Sequence, residues 1–227
     1  MIMPEIQNTT LISINELSKS FKKQLVIDKL SVELKSDDRI ALIGQNGAGK
    51  TTLIRCILGQ YNYEGELKVM GVNPRKDRKI ILQEIGFVPQ TPPPIKLTVR
   101  ELISFSEKIT KTPAAEFYKI SDDLGLDIHE NLGKPFYKLS GGMKQKLLIS
   151  FALGRKVKIL LLDEPSANLD PQAREILFTH LKNYAPNTLM ILSSHRMDEI
   201  ADLVNRVIEM DLGKIVLDND LNEHLKI

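Results

Sequence analysis

Tryptophan is absent from the 227 residues and cysteine occurs once, as Cys56. A single thiol excludes an internal disulfide framework and suits a reducing compartment. Its place in a helical stretch, downstream of an apolar residue, assigns it to core packing. Long hydrophobic runs are missing too. The longest are short, such as ILLL at 159–162, against the ~20 apolar residues that cross a bilayer, so no membrane span is expected. MIMPEIQNTT at the N-terminus has neither a basic n-region nor a long apolar h-region, which argues against secretion and makes the cytoplasm the expected compartment. Charge of one sign is also lacking: 31 Lys+Arg against 29 Asp+Glu leave +2, too little for a nucleic-acid footprint. Neither an internal repeat nor a low-complexity tract is found.

What remains is an ordinary folded chain, 42% hydrophobic and 26% charged, long enough for one large α/β domain or a domain with an inserted lobe. LISI at 11–14 and VIDKLSVEL at 26–34 read as half-buried antiparallel strands of a side sheet. RIALIG at 39–44 is a continuous apolar run closed by glycine, as in a strand buried on both faces of a parallel sheet. KTTLIRCILG, 50–59, reads as a helix ending at Gly59, and GELKVMG and EIGFVPQ as strands. The prolines of TPPPIKLTV then mark a boundary, because they can neither join a central strand nor continue a helix. From Val99 to about Ile128 two amphipathic segments, VRELISFSEKI and AAEFYKISDDLGL, suggest an inserted helical lobe. Alternation resumes with a helix from about Gly142, the strand KILLLDE, a helix from Pro171, the strand NTLMILSSH, a short helix, VNRVIEM and KIVL. Strands alternating with helices imply right-handed crossovers and a mainly parallel sheet.

Three stretches carry chemistry. GQNGAGKT matches G-x-x-x-x-G-K-[ST] through Gly44, Gly49, Lys50 and Thr51, directly after a buried strand and opening a helix, the context this phosphate loop requires. Its backbone N–H groups and helix N-terminus suit phosphate oxygens, Lys50 the β/γ-phosphates, and Thr51 a Mg²⁺ ion. ILLLDEP ends a buried strand with two carboxylates. Alone, such a pair serves more often as a solvated turn or a helix cap. Beside a phosphate loop, Asp163 suits Mg²⁺ through water, and Glu164, pointing to the other side of the strand end, is free to polarise an attacking water. SSH at 193–195 delivers His195 to the same sheet edge, where contact with the γ-phosphate or orientation of water suits a near-neutral imidazole.

In this company the chain resembles the ATP-binding-cassette (ABC) ATPases over almost its whole length. Phe21 in SKSFKKQ sits where that family stacks an aromatic residue on adenine. GQNGAGKT resembles its Walker A, placing Gly44, Gln45, Asn46, Gly47, Ala48, Gly49, Lys50, Thr51 and Thr52 against ATP. Gln90, closing FVPQ, matches the Q-loop and is implied in catalysis and in holding the metal. LSGGM at 139–143 matches the signature, LLLDE the Walker B, ANLD at 167–170 the D-loop, and His195 the switch histidine. Asp170 and Pro171 also read as an ordinary helix cap and first residue.

The resemblance implies a P-loop NTPase with a RecA-like core at about 1–90 and 151–227, an antiparallel side sheet, and a helical lobe at about 91–150, all one domain. It implies ATP and Mg²⁺ as ligands, with Glu164, His195, Lys50 and Gln90 catalytic and Thr51, Gln90 and Asp163 around the metal. Ser140, Gly141 and Gly142 would cap ATP held by a partner's phosphate loop, head to tail, so a second cassette subunit is expected, in a homodimer. A separate membrane-spanning subunit of an exporter-type bacterial transporter would hold the chain at the inner face of the cell membrane; no direct nucleic-acid partner is expected. A rival class is the soluble ABC ATPase of translation or DNA maintenance, but those carry two cassettes in one chain or long coiled coils between Walker A and signature, and neither is seen here. A nucleotide sensor without turnover is opposed by intact Lys50, Glu164 and His195.

Overall fold

Alternation in the first two strands yields a long antiparallel hairpin in the computed structural model, which describes residues 9–194 and 197–221. Its strands are β1 (Thr10–Phe21) and β2 (Gln24–Lys35), each interrupted by register shifts. At the irregularities Glu16 and Lys29 take left-handed φ of 48° and 45°. Their N–H groups donate to Ser31 Oγ at 2.8 Å and Ser18 Oγ at 3.0 Å. Serine hydroxyls thus satisfy amides turned out of the ladder, as a bulge requires.

β3 (Arg39–Ile43) leads through the glycine-rich loop into α1 (Lys50–Ile57), and β4 (Glu64–Val69) then pairs with β1 to complete a sheet ordered β2-β1-β4. α2 (Arg78–Gln83) is a short helix with no counterpart in the sequence reading, six residues being too few for a periodic pattern. The Arg155 guanidinium donates to the carbonyls of Leu82, Gln83 and Ile85, occupying acceptors that a helix end leaves open.

β5 (Ile85–Val88) is followed by the proline segment and then α3 (Val99–Thr110) and α4 (Ala114–Asp123). Thr98 starts α3 with a capping box to Glu101. These helices, two 3₁₀ turns and the first half of α5 (Gly141–Leu153) enclose an apolar cluster that includes Val99, Phe117, Ile128, Phe136 and Leu147. Phe151 of α5 joins this cluster against Phe117, whereas Ile149, Ala152 and Leu153 on another face pack elsewhere, so one helix belongs to both clusters.

β6 (Ile159–Asp163), α6 (Pro171–Lys182), β7 (Leu189–Ser193), α7 (Met197–Ile200), β8 (Arg206–Asp211) and β9 (Lys214–Asp220) follow among the described residues. The main sheet runs β5-β6-β7-β3-β8-β9, parallel except for the last pair. Every residue of β6 and β7 is buried. Leu161 and Ile191 face α1 and the side sheet, while Leu160, Leu162 and Leu192 face α5 and α6. Period-two alternation between two apolar layers explains why these strands carry no polar face. The fold is therefore the expected P-loop α/β architecture with an antiparallel side sheet. Among the described residues no helix is long and apolar enough to cross a membrane.

Candidate functional site

Parallel strands bring their C-terminal ends to one edge, and four chemistry-bearing segments follow from it: Gly44 after β3, Gln90 after β5, Glu164 after β6 and Ser194 after β7. Such an edge is where open α/β sheets bind ligands. A cleft of about 160 Å³ opens there, lined by Val26, Asn46, Gly47, Gly49, Lys50, Thr51, Thr52, Gln90 and Glu164.

The loop over 44–49 is shaped by glycine. Gly44 has φ +140°, and a Cβ there would lie 2.2 Å from the Met210 carbonyl oxygen of β8. Gly49 caps α1 at φ +109°, with a Cβ position 3.0 Å from the Val26 oxygen. At Gly44 the backbone lies closer to the neighbouring strand than a side chain permits, and at Gly49 the contact is tight and the φ itself favours glycine. Gly213, in the β8–β9 turn, braces the same loop by donating its N–H to the Ala48 carbonyl at 3.1 Å.

Lys50 is only 7% exposed, and its ammonium donates to the Gly44 carbonyl at 2.5 Å and the Gln45 carbonyl at 3.1 Å. Burial pulls its pKa below the ordinary lysine value, against the raising influence of Glu164 and Asp163. Asp163, 2% exposed, accepts from Thr51 Oγ1 at 2.9 Å on one oxygen and from Ser193 Oγ at 2.8 Å on the other. Glu164 follows at φ +49°, a left-handed bend rare for a side-chain-bearing residue, and its N–H donates to both Ser193 oxygens. Phosphate-sized anions suit this arrangement: a desolvated cation, loop N–H groups and a helix N-terminus face them, while a tethered carboxylate and a hydroxyl suit a hard cation.

Other sequence-predicted residues lie outside this cleft. Phe21 is 40% exposed and packs edge-on against Tyr61, ring centroids 5.1 Å apart, with Lys19 Nζ 4.6 Å from its centroid. Ser140 caps α5, its Oγ accepting from the Met143 N–H at 3.2 Å, and neither it nor Gly141 or Gly142 lines the cleft of its own chain. The α5 start is instead tied to the segment after Glu164. Lys146 Nζ reaches Asp170 at 2.8 Å, and buried Gln145 donates to the Pro165 carbonyl at 3.1 Å. Asp170 also caps α6 through the Ala173 N–H, and both contacts hold its carboxyl below the usual range. His195 lies outside the described residues.

Two contributors were not anticipated. Val26 reaches the cleft from β2, with no local signal beyond an apolar strand residue. Ser193 had a legible one, a polar residue ending the wholly buried strand LMILS.

Comparison with known proteins bears on this geometry. The ABC transporter family profile matches residues 27–167. The chain is 32% identical over 228 residues to the energy-coupling factor transporter ATP-binding protein EcfA2 of Clostridium tetani, covering 95% of the chain and 78% of that protein. Against the bacitracin transport ATP-binding protein BcrA of Bacillus licheniformis the identity is 35% over 227 residues, covering 96% and 72%. The solved structure of an ATP-binding subunit of an ABC transporter superposes with TM-score 0.83 at 24% identity, covering 94% of this chain and 91% of that one.

Proposed function

Since the chain belongs to the ABC transporter family as an ATP-binding domain, we propose that it hydrolyses Mg²⁺-ATP in a head-to-tail dimer and powers transport through a separate membrane-spanning subunit. The observation that carries this reading is the convergence of a desolvated Lys50, Thr51 and Glu164 on one glycine-shaped cleft, with Asp163 behind it on the Thr51 hydroxyl.

When bound, ATP supplies the phosphoanhydride bond, and Mg²⁺ supplies charge neutralisation at the β- and γ-phosphates. The loop over 44–52 cradles the phosphates with backbone N–H groups, and Lys50 redirects its ammonium from the loop carbonyls toward them. Thr51, Gln90 and Asp163 would hold the cation, Asp163 through water, since Mg²⁺ keeps several waters and takes few protein oxygens. Glu164 orients a water in line with the γ-phosphorus and draws on its proton as the new O–P bond forms and the bond to ADP breaks. His195 is assigned the γ-phosphate contact, and Phe21 offers its ring to adenine.

Ser140, Gly141 and Gly142 serve the partner's ATP. Their position at the N-terminus of α5, away from their own chain's cleft, supports this assignment. A homodimer then contains two sites, each needing one chain's Lys50 and the other's Ser140. We assign all 227 residues to one domain, cytoplasmic and peripheral at the inner face of the membrane.

Complementation tests this. Tagged heterodimers of Lys50→Ala and Ser140→Arg chains, both carrying Glu164→Gln, are purified and their occluded ATP is counted. Capping across the interface gathers both lesions into one site, leaving the other site with neither; one ATP per mixed dimer against almost none in either damaged homodimer is expected. No recovery in verified mixed dimers refutes the trans arrangement. Wild-type turnover by Glu164→Gln in otherwise intact chains refutes the base assignment.

A further inference from the structure

Ser193 is fully buried at the end of β7 and pairs in register with Asp163 of β6. A hydroxyl owns one proton. Here it is directed to Asp163 Oδ1 at 2.8 Å, so toward the Glu164 N–H at 3.0 Å the same oxygen acts only as acceptor. That amide is shared with the Ser193 carbonyl at 3.2 Å. One serine thus grips two consecutive acidic residues, the first by its side chain and the second by its backbone.

Each grip has a consequence. With Oδ1 held by Ser193, the other Asp163 oxygen is left facing the Thr51 hydroxyl at 2.9 Å, the direction in which a cation would lie. With its N–H held, Glu164 is kept at φ +49°, where the chain leaves the strand and the side chain reaches the cleft. A residue in that conformation persists only when its surroundings over-determine it.

We propose that Ser193 is a positioning residue for hydrolysis: its hydroxyl fixes the rotamer of Asp163 and the left-handed turn of Glu164, coupling the cation site to the water-polarising carboxylate. The proposal rests on the assignment of Glu164 to water and Asp163 to Mg²⁺ made above.

Ser193→Ala removes the hydroxyl from both contacts with little change of volume, leaving the Glu164 N–H only the Ser193 carbonyl. Turnover should fall roughly 10- to 100-fold, the usual effect of losing a residue that orients a metal site. A second readout is independent of turnover: titration calorimetry of ATP in EDTA should be unchanged, whereas the affinity gained on adding Mg²⁺ shrinks. In the Glu164→Gln background Ser193→Ala should lower residual turnover by a smaller factor than in the wild type, because one of the two groups it positions is already disabled. Ser193→Thr, which keeps the hydroxyl, should restore the Mg²⁺ gain. If Ser193→Ala does not fold, Ser193→Cys, similar in size but a weak donor, takes the same measurements. Wild-type turnover and an undiminished Mg²⁺ gain in whichever variant folds would overturn the proposal, as would full additivity with Glu164→Gln. The two assignments fail separately: normal turnover by Glu164→Gln removes the base, whereas a dead Glu164→Gln beside a normal Ser193→Ala removes only the role of Ser193.

Discussion

Gly44 and Gly47 lie in one loop, yet alanine at the two positions should have different effects. At Gly47, φ is +87° and nothing lies within 4 Å of a Cβ, so the substitution meets only backbone strain. That strain costs about 1–3 kcal/mol. At Gly44, φ is +140° and the Cβ would sit 2.2 Å from the Met210 oxygen and 3.2 Å from the Ala48 Cβ. A shift of about 1.2 Å is needed to bring 2.2 Å to the 3.4 Å at which ordinary contact begins, and it must come from β8 or from Gly44 itself, whose carbonyl holds Lys50. Overpacking of this kind adds about 1–3 kcal/mol. Gly44→Ala should therefore be less stable than Gly47→Ala by roughly that increment, a difference of several degrees at about 2–4 °C per kcal/mol for a chain of this size. Thermal unfolding by circular dichroism without nucleotide measures the difference, and binding of a fluorescent ATP analogue shows whether the shift also displaces Lys50. Equal melting temperatures for the two variants would refute the claim that close approach to β8, rather than φ alone, selects glycine at Gly44.

Substitutions within Pro92–Leu97 should leave basal ATP hydrolysis near wild type while abolishing stimulation by the membrane subunit; equal loss of both in reconstituted vesicles would make the segment structural. Burial lowers the Lys50 pKa, so the unfolded chain holds that proton more tightly than the folded one. Stability of the wild type relative to Lys50→Met should then rise with pH between the lowered value and the ordinary lysine range, and a flat difference in melting temperature across that window would contradict it.

Much of the fold was legible because local pattern and strand burial are linked. RIALIG read as a strand covered on both faces and KILLLDE and NTLMILSSH as apolar strands, and the glycine loop between an apolar run and KTTLIRCILG announced a phosphate cradle before any contact was known. Asp163 and Glu164 stood out for a similar reason, since carboxylates closing a wholly apolar strand need a compensating partner. The lengths of the elements were less legible. α1 stops at Ile57 and α2 escaped notice, because a short helix is held by contacts such as those of Arg155 and not by its own periodicity.

Pairings between distant segments were decided by tertiary structure alone. Thr51 meets Asp163 across 112 positions, and Ser193 meets it across 30, because the sheet order places β7 between β6 and β3. Nothing in the local sequence states that order. It follows from which apolar faces and crossovers can be buried together, a property of the whole chain. The same holds for the two glycines: GQNGAGKT names both, but only the packing of β8 against Gly44 and the open space beside Gly47 distinguish them. A sequence determines which residues can carry chemistry through their functional groups and local conformational freedom. Which of them stand within hydrogen-bonding distance is decided only when the strands are stacked, since a bond of about 3 Å depends on the position of every layer beneath it.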